Sequence, residues 1–132
     1  MEGNSISLTD KPVLVVDDLS SARMVLSDML KDIGFRTCLE AKNGHEALKI
    51  LTDHQVQLVF CDFLMSGMNG MDFLRELKSH APDNIPPIIF VSSIGDVESV
   101  EQALKLGARD YLVKPLSFGK LRRKVAGILG GA

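Results

Sequence analysis

Leu58-Val59-Phe60-Cys61-Asp62 runs on into Phe63-Leu64-Met65-Ser66-Gly67-Met68-Asn69-Gly70. Four apolar residues in succession, ended by a carboxylate, have the pattern of a strand buried on both faces, as in a parallel sheet. A strand that stops at Asp62 puts its carboxylate at the sheet's carboxyl edge, where open α/β sheets bind ligands. Taken singly, an Asp at such a place is more often a turn or capping residue. Its meaning therefore depends on what the other strands end in.

Working outward, Lys11-Pro12 leads into Val13-Leu14-Val15-Val16, which ends in Asp17-Asp18. Ile88-Ile89-Phe90-Val91 ends in Ser92-Ser93, and the short strand Asp110–Val113 ends in Lys114-Pro115. Phe35–Glu40 supplies the remaining strand. Between these lie segments of helical period. The first is expected to be capped by Ser20 or Ser21, with Ala22, Val25, Leu26, Met29, Leu30 and Ile33 facing inward and Gly34 closing it. Asn43, with Glu46 three residues on, caps the second. Asn69-Gly70 opens the third, and Ser79–Pro87, with its three prolines, reads as a loop. Asp96 caps the fourth, with Val97, Val100, Ala103, Leu104 and Leu106 inward and Gly107 at its end. Ser117 starts the last, which carries Leu121, Val125, Ile128 and Leu129.

Strands that alternate with helices throughout call for an α/β fold: a doubly wound, five-stranded parallel sheet with right-handed crossovers and helices on both faces. The chain of 132 residues suits one domain, with residues 1–10 expected as a flexible N-terminal tail. Charged residues make up 24% and hydrophobic ones 45%, the balance of a globular rather than a disordered chain. A formal net charge of −2 gives no general reason to expect nucleic acid as a partner. Cys38 and Cys61 lie in apolar runs without CxxC spacing and read as small buried hydrophobes of a reducing compartment. No run approaches the length of a membrane span, so no membrane partner and a cytoplasmic location are expected. His45, His54 and His80 are scattered without ligand spacing and read as solvated surface.

In a parallel sheet, Asp17, Asp18, Asp62, Ser92 and Lys114 all fall at one edge. Three carboxylates there repel one another unless a cation binds. An oxygen-only cluster favours Mg²⁺ over Zn²⁺. Carboxylates, Mg²⁺, an ammonium and a hydroxyl together suit a phosphoryl group, with a carboxylate available as nucleophile.

Val15-Val16-Asp17-Asp18, the Phe60–Gly70 stretch, Phe90-Val91-Ser92-Ser93 and Gly107-Ala108-Arg109-Asp110-Tyr111-Leu112-Val113-Lys114-Pro115 together resemble the receiver domain of two-component response regulators, of the chemotaxis type. The resemblance implies a receiver over residues 11–130 with the flavodoxin-like strand order 2-1-3-4-5. It implies Asp62 as phosphoacceptor, and Asp17, Asp18, Asp62 and the backbone carbonyl of Leu64 around Mg²⁺. Lys114 would pair with the phosphoryl group, Ser92 would hydrogen-bond it, and Tyr111 would turn inward as Ser92 moves. Lys114-Pro115 would be a cis peptide. The partners implied are a sensor histidine kinase or phosphotransfer protein, and an output protein or domain bound by the face of helix 4, strand 5 and helix 5. A phosphorylation-dependent dimer is a further state the family adopts. Such a protein is no enzyme beyond its own phosphorylation and slow dephosphorylation. It acts either as a stand-alone regulator or as a receiver within a longer protein.

Departures from the family pattern carry their own expectations. Ser66 stands where proline is common, which reads as loosening the loop after Asp62. Leu64 and Ile94 occupy the positions that line the hydrolytic water's path; neither can orient a water, so a long-lived aspartyl phosphate is expected. Lys120, Arg122, Arg123 and Lys124 form a basic run on the output face, explicable by the dipole at a helix C-terminus or by an acidic partner. An Asp-nucleophile phosphohydrolase of the haloacid-dehalogenase type is the alternative, but it would need a second Asp at position 64. A flavin carrier on the same fold would need a Ser/Thr/Gly-rich phosphate loop in place of Asp17-Asp18.

Overall fold

A computed structural model describes residues 10–130. The expected tail, apart from Asp10, lies outside the described residues. Strands β1 (Val13–Val16), β2 (Cys38–Ala41), β3 (Leu58–Asp62), β4 (Ile88–Ser92) and β5 (Asp110–Val113) alternate with helices α1 (Ser20–Ile33), α2 (Gly44–Asp53), α3 (Gly70–His80), α4 (Val97–Leu106) and α5 (Phe118–Leu129). All pairings are parallel and the order is β2-β1-β3-β4-β5: the doubly wound sheet that the strand pattern predicts, in the flavodoxin-like order that the resemblance implies.

The register explains how residues far apart in sequence meet. Val16 lies beside Cys61, Asp62 beside Val91, and Ser92 beside Val113. The next residue of each chain therefore emerges from one edge, which brings Asp17, Asp62 and Lys114 together. The apolar runs of β1, β3 and β4 are wholly buried, as strands covered on both faces must be. Two clusters do the covering. Leu26 and Leu30 of α1 and Leu121 and Val125 of α5 pack on one face with Val13, Val15 and Phe60. Ala47 of α2, Phe73, Leu74 and Leu77 of α3 and Ala103 of α4 pack on the other with Leu14, Val59 and Phe90. Each fully buried Leu, Val or Phe contributes roughly 1.5–3 kcal/mol.

Caps mark most boundaries. Asn43, Asn69, Asp96 and Ser117 each accept a backbone N–H from the third residue on. Glu46 reaches back one residue beyond the cap and accepts Lys42 N–H at 2.9 Å, a variant of the expected box. At α1 the structure corrects the sequence reading. Neither Ser20 nor Ser21 caps it; the N-cap is Leu19, with no side-chain bond to the helix, and Leu19 N–H donates instead to Asp17 Oδ1 at 3.0 Å. The first turn is thus anchored by the acidic cluster itself.

Strand β2 begins at Cys38 rather than Phe35, for a reason that lies in the preceding helix. Gly34 N–H bonds the Lys31 carbonyl and Phe35 N–H reaches back to the Leu30 carbonyl, closing α1 in a Schellman motif that removes Phe35 from any ladder. Gly34 supplies the required φ of 134°. Gly107 and Ala108 close α4 in the same way. Helix α3 runs on through His80, so the proline-rich loop starts after it.

Three residues assigned to inner helix faces are exposed: Val25 (56%), Val97 (72%) and Leu104 (44%). The apolar arcs of α1 and α4 are wider than the strips that touch the sheet. The basic run of α5 also needs a different account. It occupies the early and middle turns, with no basic residue in the last turn, so the C-terminal dipole does not explain it. Lys124 instead pairs with Asp110 at 2.9 Å. Among the described residues, no helix is long and apolar enough to cross a membrane.

Candidate functional site

One carboxylate oxygen each from Asp17, Asp18 and Asp62 lie within 4.8 Å of one another at the carboxyl ends of β1 and β3. Asp17 is buried, Asp62 half-buried and Asp18 exposed. Lys114, carried to the same edge by β5, places Nζ 3.1 Å from Asp17 Oδ2 and 3.7 Å from Asp62 Oδ2. Asp62 Oδ1 accepts Leu64 N–H at 3.2 Å. Asp18 Oδ2 accepts both the amide and the hydroxyl of Ser66, each at 3.3 Å. Arg23 braces the cluster from behind, donating to the Asp17 carbonyl at 2.6 Å and to Glu40 at 3.0 Å.

Electrostatics follow from this crowding. Burial pushes the Asp62 carboxyl above its ordinary value; Lys114 opposes the rise, and the Asp17 charge adds to it. Lys114 is held above its usual value even though burial acts against it, because the Asp17 hydrogen bond and the charges of Asp62 and Asp17 outweigh that cost. One ammonium between two carboxylates, with a third carboxylate alongside, leaves the edge acidic and able to take a divalent cation. Every donor in the cluster is oxygen. Cys61, the nearest sulfur in sequence, is fully buried, its thiol pushed well up by burial and the neighbouring Asp62 charge. It turns toward the Asp62 carbonyl at 3.3 Å and offers no thiolate. The donor set therefore fits Mg²⁺.

A cleft of about 590 Å³ opens beside Asp17, Asp62 and Lys114, walled by Ala22, Val25, Leu26 and Met29 of α1 and by Pro115 and Leu116.

The family model described as "Response regulator receiver domain" matches residues 13–126. The chain belongs to the response regulator receiver family. The receiver is 32% identical over 126 residues to a "Probable chemotaxis protein CheY" of Rhizobium etli, covering 95% of this chain and 98% of that protein. It is 39% identical over 110 residues to the transcriptional regulatory protein ZraR of Klebsiella oxytoca, covering 83% of this chain but only 24% of that protein. Among solved structures, the chemotaxis response regulator CheY4 of Vibrio cholerae superposes with a TM-score of 0.82 at 27% identity, covering 92% of this chain and all of that one (100%).

Around the receiver's acidic edge, the structure places the remaining sequence-derived residues as follows. Ser92 is buried at the end of β4, and its Oγ accepts Ile94 N–H at 3.2 Å. Tyr111 is only 7% exposed, and its hydroxyl donates to the Ile94 carbonyl. Its ring lies inward while Ser92 remains bonded to Ile94, so ring burial does not require Ser92 to leave that bond. The Lys114–Pro115 peptide is cis. Leu64 (49%), whose N–H donates to Asp62, and Ile94 (38%), in the loop after β4, are both exposed.

Sequence reasoning missed the packing around Tyr111. Its ring meets Phe63 edge-on at a centroid spacing of 5.4 Å, within a trio in which Phe63 meets Phe90 at 5.3 Å. Phe63 directly follows Asp62, and that adjacency was the available signal. Arg23 was also missed: its contact with the cluster is to the Asp17 backbone carbonyl, and its side-chain partner Glu40 lies 17 residues away.

Proposed function

We propose that this receiver is a phosphorylation-controlled switch that accepts a phosphoryl group on Asp62 from the phosphohistidine of a sensor kinase or phosphotransfer protein. The observation that carries the reading is the cluster of Asp17, Asp18 and Asp62 with Lys114 Nζ at 3.1 and 3.7 Å. Asp18 and Asp62, with Asp17 and the Leu64 carbonyl, are the residues that would hold Mg²⁺. Bound there, Mg²⁺ supplies positive charge for the phosphoryl oxygens.

The carboxylate of Asp62 attacks phosphorus, the N–P bond of the donor breaks, and the imidazole leaves with the bonding pair. Lys114 offsets the charge of the transferred oxygens. Their arrival draws the Ser92 hydroxyl away from Ile94 N–H. Ile94 also accepts the Tyr111 hydroxyl, so the loop after β4 and the aromatic ring respond as one unit. The face made by α4, β5 and α5 then shifts its population toward a form that binds an output protein or domain, with dimerisation through phosphorylation a further use of that face. The setting is the cytoplasm, where the kinase domain presents its histidine.

Incubation with Mg²⁺ and a small phosphoramidate donor tests this directly. Intact-mass spectrometry should show one added phosphoryl group in the wild type and none in Asp62→Ala. Beryllofluoride with Mg²⁺ should move the amide signals of Ser92 and Tyr111 in the wild type alone. A wild-type protein that takes up no phosphoryl group would overturn the proposal.

A further inference from the structure

The loop after β3 contains an arrangement that neither the acidic cluster nor the phosphoryl chemistry accounts for. Asp18 is the exposed member of three carboxylates whose oxygens lie within 4.8 Å. Lys114 sits on Asp17 and near Asp62. Among the described residues, Asp18 takes its hydrogen bonds from Ser66 alone, through N–H and Oγ–H, both at 3.3 Å and both onto Oδ2. Without those donors, repulsion from Asp17 and Asp62 drives the Asp18 side chain out toward water.

Ser66 is itself held in place. Met65 before it is buried. The Ser66 carbonyl accepts Met68 N–H at 3.0 Å across Gly67, whose φ of +84° suits a tight three-residue turn that glycine makes at no steric cost. The two donors are therefore presented by a fixed stretch of chain, while Asp18 Oδ1 carries no hydrogen bond among the described residues.

We propose that Ser66 is a positioning residue for the cation site, holding the Asp18 carboxylate through Oδ2 within the acidic cluster that would take Mg²⁺. The inference rests on the Mg²⁺-dependent reading given under Proposed function. A proline at this position would have neither the N–H nor the hydroxyl, so the serine constrains Asp18 rather than loosening the loop as the sequence reading expects.

Mg²⁺ titration of the metal-stripped full chain by calorimetry tests the proposal, with Ser66→Thr, Ser66→Ala and Ser66→Pro beside the wild type. Ser66→Thr keeps both donors and should bind as the wild type does. Ser66→Ala loses the hydroxyl and should bind about two- to fourfold more weakly, the low end expected of an exposed hydrogen bond. Ser66→Pro loses both donors and should be weaker again. Ser66 is exposed, so Ser66→Ala leaves the core untouched, and that arm decides the matter if Ser66→Pro does not fold. Equal binding by wild type and Ser66→Ala overturns the proposal. So does tighter binding by Ser66→Ala, because the two bonds would then compete with the cation. An equal loss in Ser66→Thr and Ser66→Ala also overturns it, by pointing to packing rather than to the hydroxyl. Absence of Mg²⁺ binding by the wild type is a different result, one that removes the functional reading and this inference together.

Discussion

On the function proposed above, Leu64 and Ile94 would rim the path by which water reaches an Asp62 phosphoryl group, and both side chains are exposed and apolar. Neither can accept a proton or align a nucleophile, so the rim withholds general-base help. Leu64→Asn with Ile94→Glu should shorten the life of the phosphorylated form on the order of tenfold, a fraction of what full general-base catalysis supplies. A radiolabel chase gives the rate, and faster phosphate loss from the wild type than from the double variant would contradict the expectation. Asp62 also makes a stability prediction. Its carboxyl is raised by burial, so the fold holds that proton more tightly than the unfolded chain does. The penalty is absent below the ordinary value of 3.8, grows as pH rises through the raised value, and is constant above it. Asp62→Asn should therefore melt higher than the wild type at neutral pH in a chelator, by roughly 2–5 °C. The gap should close on acidification and narrow when Mg²⁺ is added. A lower melting temperature for Asp62→Asn in chelator would refute this sign.

At the level of elements, packing over the strand ends sets the tolerances. Gly70 opens α3 against the Phe90 ring and the Phe63 backbone: a Cβ there would come within 2.7 Å of the ring and 3.1 Å of Phe63 Cα. Gly70→Ala should cost about 1–3 kcal/mol by overpacking and, because Phe63 and Phe90 frame Tyr111, should alter the Tyr111 ring signals as well. Denaturant unfolding combined with ring NMR checks both parts. Helix α1 offers the opposite case. Ser27 is buried on its inner side, and its hydroxyl has no hydrogen-bond partner among the described residues. Ser27→Ala should stabilise the protein by about 1 kcal/mol, the order of the penalty for an unmet buried hydroxyl, visible as a shift in the denaturation midpoint with an unchanged slope. Elements also show where sequence reading stops. Strands β1, β3 and β4 were legible because burial on both faces leaves uninterrupted apolar runs. The start of β2 was not, because Phe35 is apolar and β-prone yet has its N–H committed to Leu30. The cap of α1 was misread because Leu19, its N–H held by Asp17, occupies the N-cap position and shifts both serines into the helix, leaving no side-chain cap.

Across the molecule, the site was legible to the extent that topology alone assembles it. Asp17, Asp18, Asp62, Ser92 and Lys114 each end a strand or follow one, and a parallel sheet with this register gathers strand ends whatever the side chains do. What needed coordinates was side-chain direction: that Lys114 favours Asp17 over Asp62, that Ser66 reaches Asp18, and that Val97 and Leu104 face water. The sheet also divides the interior into two layers, and Ser92, Ile94 and Tyr111 do not touch them equally. Tyr111 belongs to the layer of α2, α3 and α4, whereas α1 and α5 rest on Val13, Val15, Phe60 and Leu112. Beryllofluoride should therefore perturb amides of α4 and the β4–α4 loop more than those on the inner side of α1. Equal perturbation of α4 and of the inner side of α1, seen in a two-dimensional amide spectrum, would argue against a response confined by the sheet.

That division has an evolutionary reading. A buried sheet with separate linings on its two sides behaves as a bulkhead: the inner side of α1 and α5 can accumulate substitutions of matched volume while the Tyr111 side keeps its geometry. A lineage carrying this chain could then drift in how firmly it folds without drifting in what it signals. The two traits would be inherited through different residues of the same domain.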